Sequence, residues 1–521
     1  MFKSKPLLYA FIGLIALAGL FIRLFHISDN QFLFYDEALY IGYNRQFLNL
    51  IANNPAHNFQ ELGIILSLIL RTALSMPKAL WFLLLSLRVF ILGPQAWFFA
   101  RWISAFSGLV TVVWLYFWAR RYFNSHRIAL LSSIFLLILP SHVFYSRSGM
   151  QEALSALLFI AAIDLYMRSH RVQWRLFVSG ILLACVYFTN YRMIIAPVFI
   201  IFIEFFNAFV MQTKIDLKKL LIYLFFFCAL VLFVGCLYGG VNLYICFAWM
   251  FHQAQDAGGK YNPVNFVSYP YYVFCLEGVF FACFFWGNIY FIKLKEYAKL
   301  LPFGIALLQM LLFSFAAEKG VRYLCVVLPF MAAAAAVFID DCWQRYGKAR
   351  PWVLTFGAFA VGWMIFSCAT QVMARSDYEK AVDLITAHDP QAIVVSTQPL
   401  VEGLFLADPK RIVPCPKDLN SLWGLYQQGA KYLILDPQAY ISWTADGRRF
   451  SPPLDDFLEI ILQKAQPLAV LPHFNATLLK RFVLDHNEQI LDSIRFLSRA
   501  PSQGYGKIRI YALSDIFKGQ L

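Results

Sequence analysis

The chain has 521 residues, of which 60% are apolar and 14% charged, with a mean hydropathy of +0.61 and a formal net charge of +14. Ordinary soluble domains carry about 25% charged residues, and here the apolar residues come in blocks of roughly 16 to 24, long enough to cross a bilayer core as helices; a soluble globular enzyme is excluded. A nucleic-acid binder is excluded by where the basic residues lie: Lys3 and Lys5, Arg120, Arg121 and Arg127, Arg168, Arg171 and Arg175, Lys214, Lys218 and Lys219, Lys293, Lys295 and Lys299, and Arg345, Lys348 and Arg350 all fall in connectors that alternate with basic-poor ones, as the positive-inside rule requires.

The first apolar segment, Leu7 to Phe25, has no small-residue cleavage site and reads as a retained span. It leads into Phe34-Tyr35-Asp36-Glu37-Ala38-Leu39-Tyr40. Two adjacent carboxylates at a membrane surface are costly and mark a candidate site for acid/base chemistry; capping an interfacial helix is the plainer role for the same residues. Residues 26–96 form a long external loop. Within it, Leu62 to Leu74 and Ala79 to Leu92, interrupted by Arg71, Pro77, Lys78 and Arg88, read as helices lying in the interface.

Further spans are expected at 97–118, 128–145, 150–167, 176–190, 192–210, 220–240, 271–292, 300–317, 322–339 and 352–372, about eleven with the first. With the N-terminus in the cytoplasm, every basic cluster falls inside and residues 373–521 fall outside. Residues 248–270, rich in Gly, Asn, Tyr and Pro, form a second long external loop, either a lid or a connector. Glu204 and Glu277 lie within apolar spans and Asp164 near the end of one, where an ionisable residue is a functional candidate or a hydrogen-bonding partner of a neighbouring helix.

From about Ser376 the composition becomes that of a soluble domain. Strands are predicted at 392–396, 411–413, 431–436 and 507–512, and helices at 377–388, 418–429 and 453–464, a small α/β layer. The fold class is therefore a polytopic α-helical membrane domain, residues 1–372, followed by a small α/β domain, 373–521. The latter carries no Gly-rich phosphate fingerprint and no clustered metal ligands. Of the ten Cys, only Cys415 lies in this polar part, so no disulfide framework is expected and the cysteines read as small apolar residues. His57 and His252 are isolated and read as polar surface.

Several features in this order carry a family resemblance: Asp36-Glu37 after the first span; Pro77-Lys78 before the stretch ending at Leu92-Gly93; Ala100-Arg101-Trp102-Ile103-Ser104 and the helix down to Ala119-Arg120-Arg121-Tyr122-Phe123; Pro140-Ser141-His142-Val143-Phe144-Tyr145-Ser146-Arg147 followed by Gln151-Glu152-Ala153-Leu154; and Arg322-Tyr323 with Pro329. Together they resemble the C-type glycosyltransferases, specifically the bacterial relatives of the protein O-mannosyltransferases and of the lipid A aminoarabinose transferase, over residues 7–372. The resemblance implies a polyprenyl-phosphate sugar donor, an acceptor hydroxyl on a protein, lipid or glycan, and inverting transfer at the outer face of a bacterial plasma membrane.

It also implies roles. Asp36 matches the first-loop general base, Glu37 stands beside it, and Glu152 matches a second acidic position. Cations on the outer side suited to the departing lipid phosphate are Lys78, Arg147, Arg192, Lys319 and Arg322, with Tyr323 beside the last. Lys78 departs from the family pattern, in which Lys precedes Pro. No Trp-Trp-Asp-Tyr-Gly-like motif is present, which disfavours the oligosaccharyltransferase branch. No cofactor is expected, and a divalent metal is left open. Two other classes fit the apolar pattern. A transporter or lipid flippase would show repeated halves, and no convincing repeat is seen; a non-catalytic assembly protein would tolerate Asp36→Asn.

Overall fold

The structure is a computed structural model that describes residues 5–27, 37–42, 59–92, 98–169, 172–210, 212–248, 265–278, 280–315, 320–373, 376–406, 408–436, 457, 460–463, 465–472 and 507–518. The chain forms two compact units, one of Met1–Ile27 with Gln46–Ala369, the other of Ser28–Arg45 with Thr370–Leu521. The acidic segment thus groups with the second unit, whereas the sequence places it in the loop of the first.

The first unit is helical: α1 (Lys5–Leu24), α2 (Phe59–Ser75), α3 (Ala79–Leu92), α4 (Phe99–Phe123), α5 (His126–Ile138), α6 (Pro140–Arg147), α7 (Glu152–Met167), α8 (Gln173–Thr189), α9 (Ala196–Val210), α10 (Leu217–Cys236), α11 (Asn265–Glu277), α12 (Phe280–Lys293), α13 (Leu301–Ser314), α14 (Leu328–Arg345) and α15 (Arg350–Val372). Short 3₁₀ turns join several of them, notably Tyr191–Ile195 before α9, Val321–Val327 before α14 and Gly347–Ala349 before α15. Among the described residues, six helices, counting the joined 3₁₀ turns, are long and apolar enough to cross a bilayer, and α5 with α6 makes a seventh, bent pair. This is a helical membrane protein.

Two expected spans are interrupted, each for a local reason. At 128–145 the helix axis turns by 57° between α5 and α6. Leu139 is extended (φ −68°, ψ 116°) directly before Pro140, because the proline ring pushes its predecessor out of the α region. At 271–292 the chain breaks between α11 and α12, where Gly278 has φ +57° and a Cβ would meet the Trp363 indole at 2.9 Å. A residue with a side chain would be strained at that positive φ and would crowd Trp363.

The centre of the unit is α14, the most buried of the long apolar helices. Ala332 to Ala336 are all fully buried there, and small side chains let α5, α12 and α13 approach closely. Gly108 on α4 serves the same end: a Cβ there would fall 2.1 Å from Ser146 Oγ of α6 and 3.2 Å from Arg23 Nε of α1.

The second unit holds a mixed five-stranded sheet. β1 (Ile393–Ser396), β2 (Ile412–Pro414), β3 (Ala430–Leu435), β4 (Ala469–Pro472) and β5 (Lys507–Ala512) lie in the order β2-β1-β3-β5-β4. β1 is parallel to β2 and β3, while β5 runs antiparallel to β3 and β4. The helices α16 (Tyr378–His388), α17 (Pro399–Glu402), α18 (Leu419–Gln427) and α19 (Leu513–Ile516) belong to the same unit. Val395, Leu422, Leu433, Leu435, Tyr511 and Phe517 form its core. Asp418 caps α18 by accepting from Ser421 N at 2.8 Å, the N-cap geometry that satisfies an orphan amide.

Where the parallel strands end, buried polar groups collect. Tyr378 donates to Asp436 Oδ2 at 2.6 Å, and Asp436 N donates to Thr397 Oγ1 at 2.8 Å. Glu402 is fully buried beside them, and neither of its oxygens accepts a hydrogen bond of good geometry among the described residues. Burial drives its carboxyl well above the ordinary range, the Ser396 hydroxyl opposes this, and the charge of Asp436 adds to the rise. A carboxyl whose folded pKa is raised stabilises the fold fully below the unfolded value of about 4.3 and loses that contribution as pH rises toward the folded value. Glu402→Gln is therefore expected to flatten the decline of stability with rising pH. Hydrogen exchange of β1 and β3 amides in the full chain at pH 5 and pH 8 measures it, and an unchanged pH dependence rules the role out.

Candidate functional site

Two of the expected site residues, Asp36 and Lys319, lie outside the described residues. Glu37 begins a helical stretch at 37–42, is buried, and belongs to the second unit. The others lie in the first unit, and the fold brings three of them together.

Those three come from two 3₁₀ turns. Asn190 ends α8 in extended backbone and its side chain accepts from Arg192 N at 3.3 Å, which starts the turn Tyr191–Ile195. Arg192 lies with its guanidinium carbon 5.0 Å from the Tyr191 ring centre and 4.6 Å from that of Tyr323. Arg322 approaches the Tyr323 ring at 5.4 Å. Tyr323 is thus shared by two arginines from segments 130 positions apart, held by Phe313 (ring centroids 5.2 Å) and by Gln309, which donates to its carbonyl at 2.7 Å. Arg stacks well on aromatic faces because its guanidinium is planar and weakly hydrated. Two guanidinium groups thus share one buried ring, and their planar forks are of the kind that matches phosphate oxygens.

Glu152 stands at the first position of α7, 2% exposed, with Oε1 accepting from Gln151 Nε2 at 3.0 Å. It and Glu277 both lie within electrostatic reach of Cys325, which belongs to the same 3₁₀ turn as Arg322 and Tyr323. The carboxylate and the paired arginines are therefore carried on neighbouring segments. Glu277 Oε1 accepts the Ser141 amide at 3.1 Å, in the first turn of α6, where a negative charge also complements the helix dipole.

Arg147 has structural partners. Its guanidinium donates to Ile22 O at 2.5 Å and to Phe25 O at 2.8 Å, and Arg101 donates to Ile27 O at 3.0 Å. Carbonyls at a helix C-terminus need such donors. Together they secure residues 22–27, which in the sequence lead into the acidic segment. Arg147→Ala leaves buried carbonyls unsatisfied, at about 1–3 kcal/mol. A lowered melting temperature of the detergent-solubilised chain is the expected result, and an unchanged one would show that water satisfies those carbonyls.

Lys78 is buried at the turn before α3, and that turn is docked by Asn242 Nδ2, which donates to Met76 O at 2.6 Å. Arg23 and His142 were not among the expected site residues. Arg23 is fully buried and its Nη2 lies 2.9 Å from His142 Nδ1. The signal was present: Arg23 is the one charged residue inside the apolar run Leu7 to Phe25, and a charge within a span is a candidate by default.

The family model of dolichyl-phosphate-mannose-protein mannosyltransferases matches residues 75–238, which include Lys78, Arg147, Glu152 and Arg192. Solved structures extend the likeness over most of the chain. ArnT from Cupriavidus metallidurans bound to undecaprenyl phosphate superposes with a TM-score of 0.55 at 14% identity, over 84% of this chain and 95% of its own. The fold is that of the C-type glycosyltransferases. The Archaeoglobus fulgidus oligosaccharyltransferase in its apo form shares this fold (TM-score 0.57, 11% identity, 85% of this chain and 72% of its own). So does that organism's AglB in complex with an inhibitory peptide and a dolichol-phosphate (0.53, 12%, 84% and 71%). No curated protein sequence matches the chain. The C-type fold seen here is the one that the motif order from Asp36-Glu37 to Arg322-Tyr323 resembles.

Proposed function

We propose that this chain is an inverting glycosyltransferase that moves one sugar from a polyprenyl-phosphate donor to an acceptor hydroxyl on the outer face of a bacterial plasma membrane. The observation that carries the reading is the meeting of Arg192 and Arg322 on Tyr323, next to the segment bearing Glu152, within a C-type fold. The family match to mannosyltransferases that use a dolichyl-phosphate donor, and the neighbour bound to undecaprenyl phosphate, support a lipid-phosphate donor.

In the proposed reaction the acceptor oxygen attacks the anomeric carbon from the face opposite the phosphate. Its proton passes to the Asp36 carboxylate, and the carbon–oxygen bond to the lipid phosphate breaks with both electrons going to the phosphate oxygen. General base assistance makes the acceptor nucleophilic as the bond forms. Fixed guanidinium groups of Arg192 and Arg322 lower the energy of the charge that develops on the leaving phosphate, with Lys78 and Lys319 as further cations. Arg147 is already engaged with main-chain carbonyls and acts by holding α1 and α6 together. In this reading Glu37 and Glu152 shape the acidic side of the site and orient the acceptor.

The test is turnover of a panel of polyprenyl-phosphate sugars by the purified chain in lipid nanodiscs. Release of polyprenyl phosphate with transfer of the sugar is the expected result; absence of binding to every donor would reject the reading.

A further inference from the structure

An apolar groove of about 360 Å³ opens along α12, α14 and α15 of the first unit, walled by Phe135, Phe280, Trp286, Phe338, Trp352 and Phe356. From Trp352 to Met364 it follows α15 for about 18 Å, at 1.5 Å per residue. Its walls are apolar throughout, and one end is bounded by Tyr346 and Trp352 on either side of the 3₁₀ turn Gly347–Ala349.

The charges at that end are unbalanced. Arg345 pairs with Glu296 and, at 2.7 Å, with Asp341; Lys299 lies 2.5 Å from Asp341 and 2.7 Å from Glu296; Arg127 lies 2.8 Å from Asp340. Every one of these carboxylates therefore has a cation. Lys348 and Arg350, which lie between Tyr346 and Trp352, have no carboxylate partner among the described residues. Arg350 rests on the Trp343 ring at 5.4 Å and donates to its carbonyl at 3.2 Å, while Lys348 is exposed. An apolar channel with two uncompensated cations and flanking Trp and Tyr at its mouth is complementary to an amphiphile with an anionic head.

We infer that this groove binds an anionic phospholipid of the surrounding bilayer, an acyl chain lying between α12, α14 and α15 and the head-group phosphate on Lys348 and Arg350. Length separates this occupant from the donor lipid. Half of a hydrocarbon core of about 30 Å is about 15 Å, close to the groove and far short of a polyprenyl chain. Position separates it too, since α14, 18 residues and about 27 Å long, lies between Arg322 and Lys348. The inference does not depend on the transferase reading.

Gly357 offers a clean test. It lines the groove, and a Cβ built on it meets nothing within 4 Å, so Gly357→Leu fills the channel without displacing a neighbour. The full chain in detergent is titrated with palmitoyl-oleoyl phosphatidylglycerol, the matching phosphatidylcholine and undecaprenyl phosphate, and bound lipid is counted by native mass spectrometry. Wild type is expected to hold phosphatidylglycerol at least tenfold more tightly than phosphatidylcholine. Gly357→Leu should weaken it about tenfold, and Lys348→Ala with Arg350→Ala should abolish the preference between the two lipids. Equal retention of both lipids by wild type, undiminished retention by Gly357→Leu, or displacement of phosphatidylglycerol by undecaprenyl phosphate would each overturn the inference. Should Gly357→Leu fail to fold, the surface pair Lys348 and Arg350 decides it alone.

Discussion

Asp36→Asn is expected to abolish sugar transfer while leaving the melting temperature and donor binding within error of wild type. The substitution keeps size and hydrogen-bonding capacity but removes the only atom set in the proposed reaction that takes the acceptor proton. Loss of a general base costs about 10² to 10⁴ in rate, and the loss should appear in kcat with the KM for donor unchanged, because the proton moves only as the new bond forms. Glu37→Gln, one residue along, should cost far less. The measurement is single-turnover transfer in nanodiscs by wild type, Asp36→Asn and Glu37→Gln. Full activity of Asp36→Asn removes it as the base, and equal damage from both substitutions moves the role to the pair.

Arg192→Ala and Arg322→Ala make the second large prediction. In the proposed reaction each removes a charge-assisted contact to the lipid phosphate worth about 1.5–3 kcal/mol, so each should weaken donor binding by about tenfold to more than a hundredfold. The two residues share the Tyr323 ring, and residues that share a partner do not contribute independently. The double variant should therefore lose less than the sum of the two. Arg322→Lys keeps the charge but not the planar fork or the stacking, and is expected to fall between wild type and Arg322→Ala. Binding of a non-hydrolysable donor analogue, measured by calorimetry, checks all four proteins. Strict additivity would show that the arginines act at separate places, and unchanged affinity would remove both from the site.

Much of the helical architecture was legible because bilayer-length apolar blocks leave little choice. Backbone amides without water must bond within the segment, and only a helix does this locally. Thus α3 begins and ends where Ala79 and Leu92 predict, and α4, α7 and α9 lie within a few residues of their expected ranges. The two interruptions were harder to read. Pro140 carries its warning in the sequence, but the break after Glu277 depends on Gly278 meeting Trp363, some 85 positions later. In the second unit β4 was missed because Ala469–Pro472 is short and ends in proline, and its register comes from β5, which is distant in the chain.

The site divides along the same line. The family resemblance carried by the motif order singled out Asp36, Glu37, Glu152, Arg192 and Arg322 as candidates, while composition and local pattern alone determined that this protein spans a membrane and that its basic residues sit in short connectors. Those are properties of single segments, fixed by apolar length and by the cost of charge near lipid. Which of the charged residues face one another was decided by tertiary packing. Arg192 and Arg322 meet on Tyr323 because the 3₁₀ turn that follows α8 and the one that leads into α14 bring both guanidinium groups to one ring, whereas Arg147, equally suitable by type, is taken up by the carbonyls that end α1. An arginine binds whichever acceptor the fold presents first, and only three-dimensional proximity says whether that acceptor is a backbone carbonyl or a ligand.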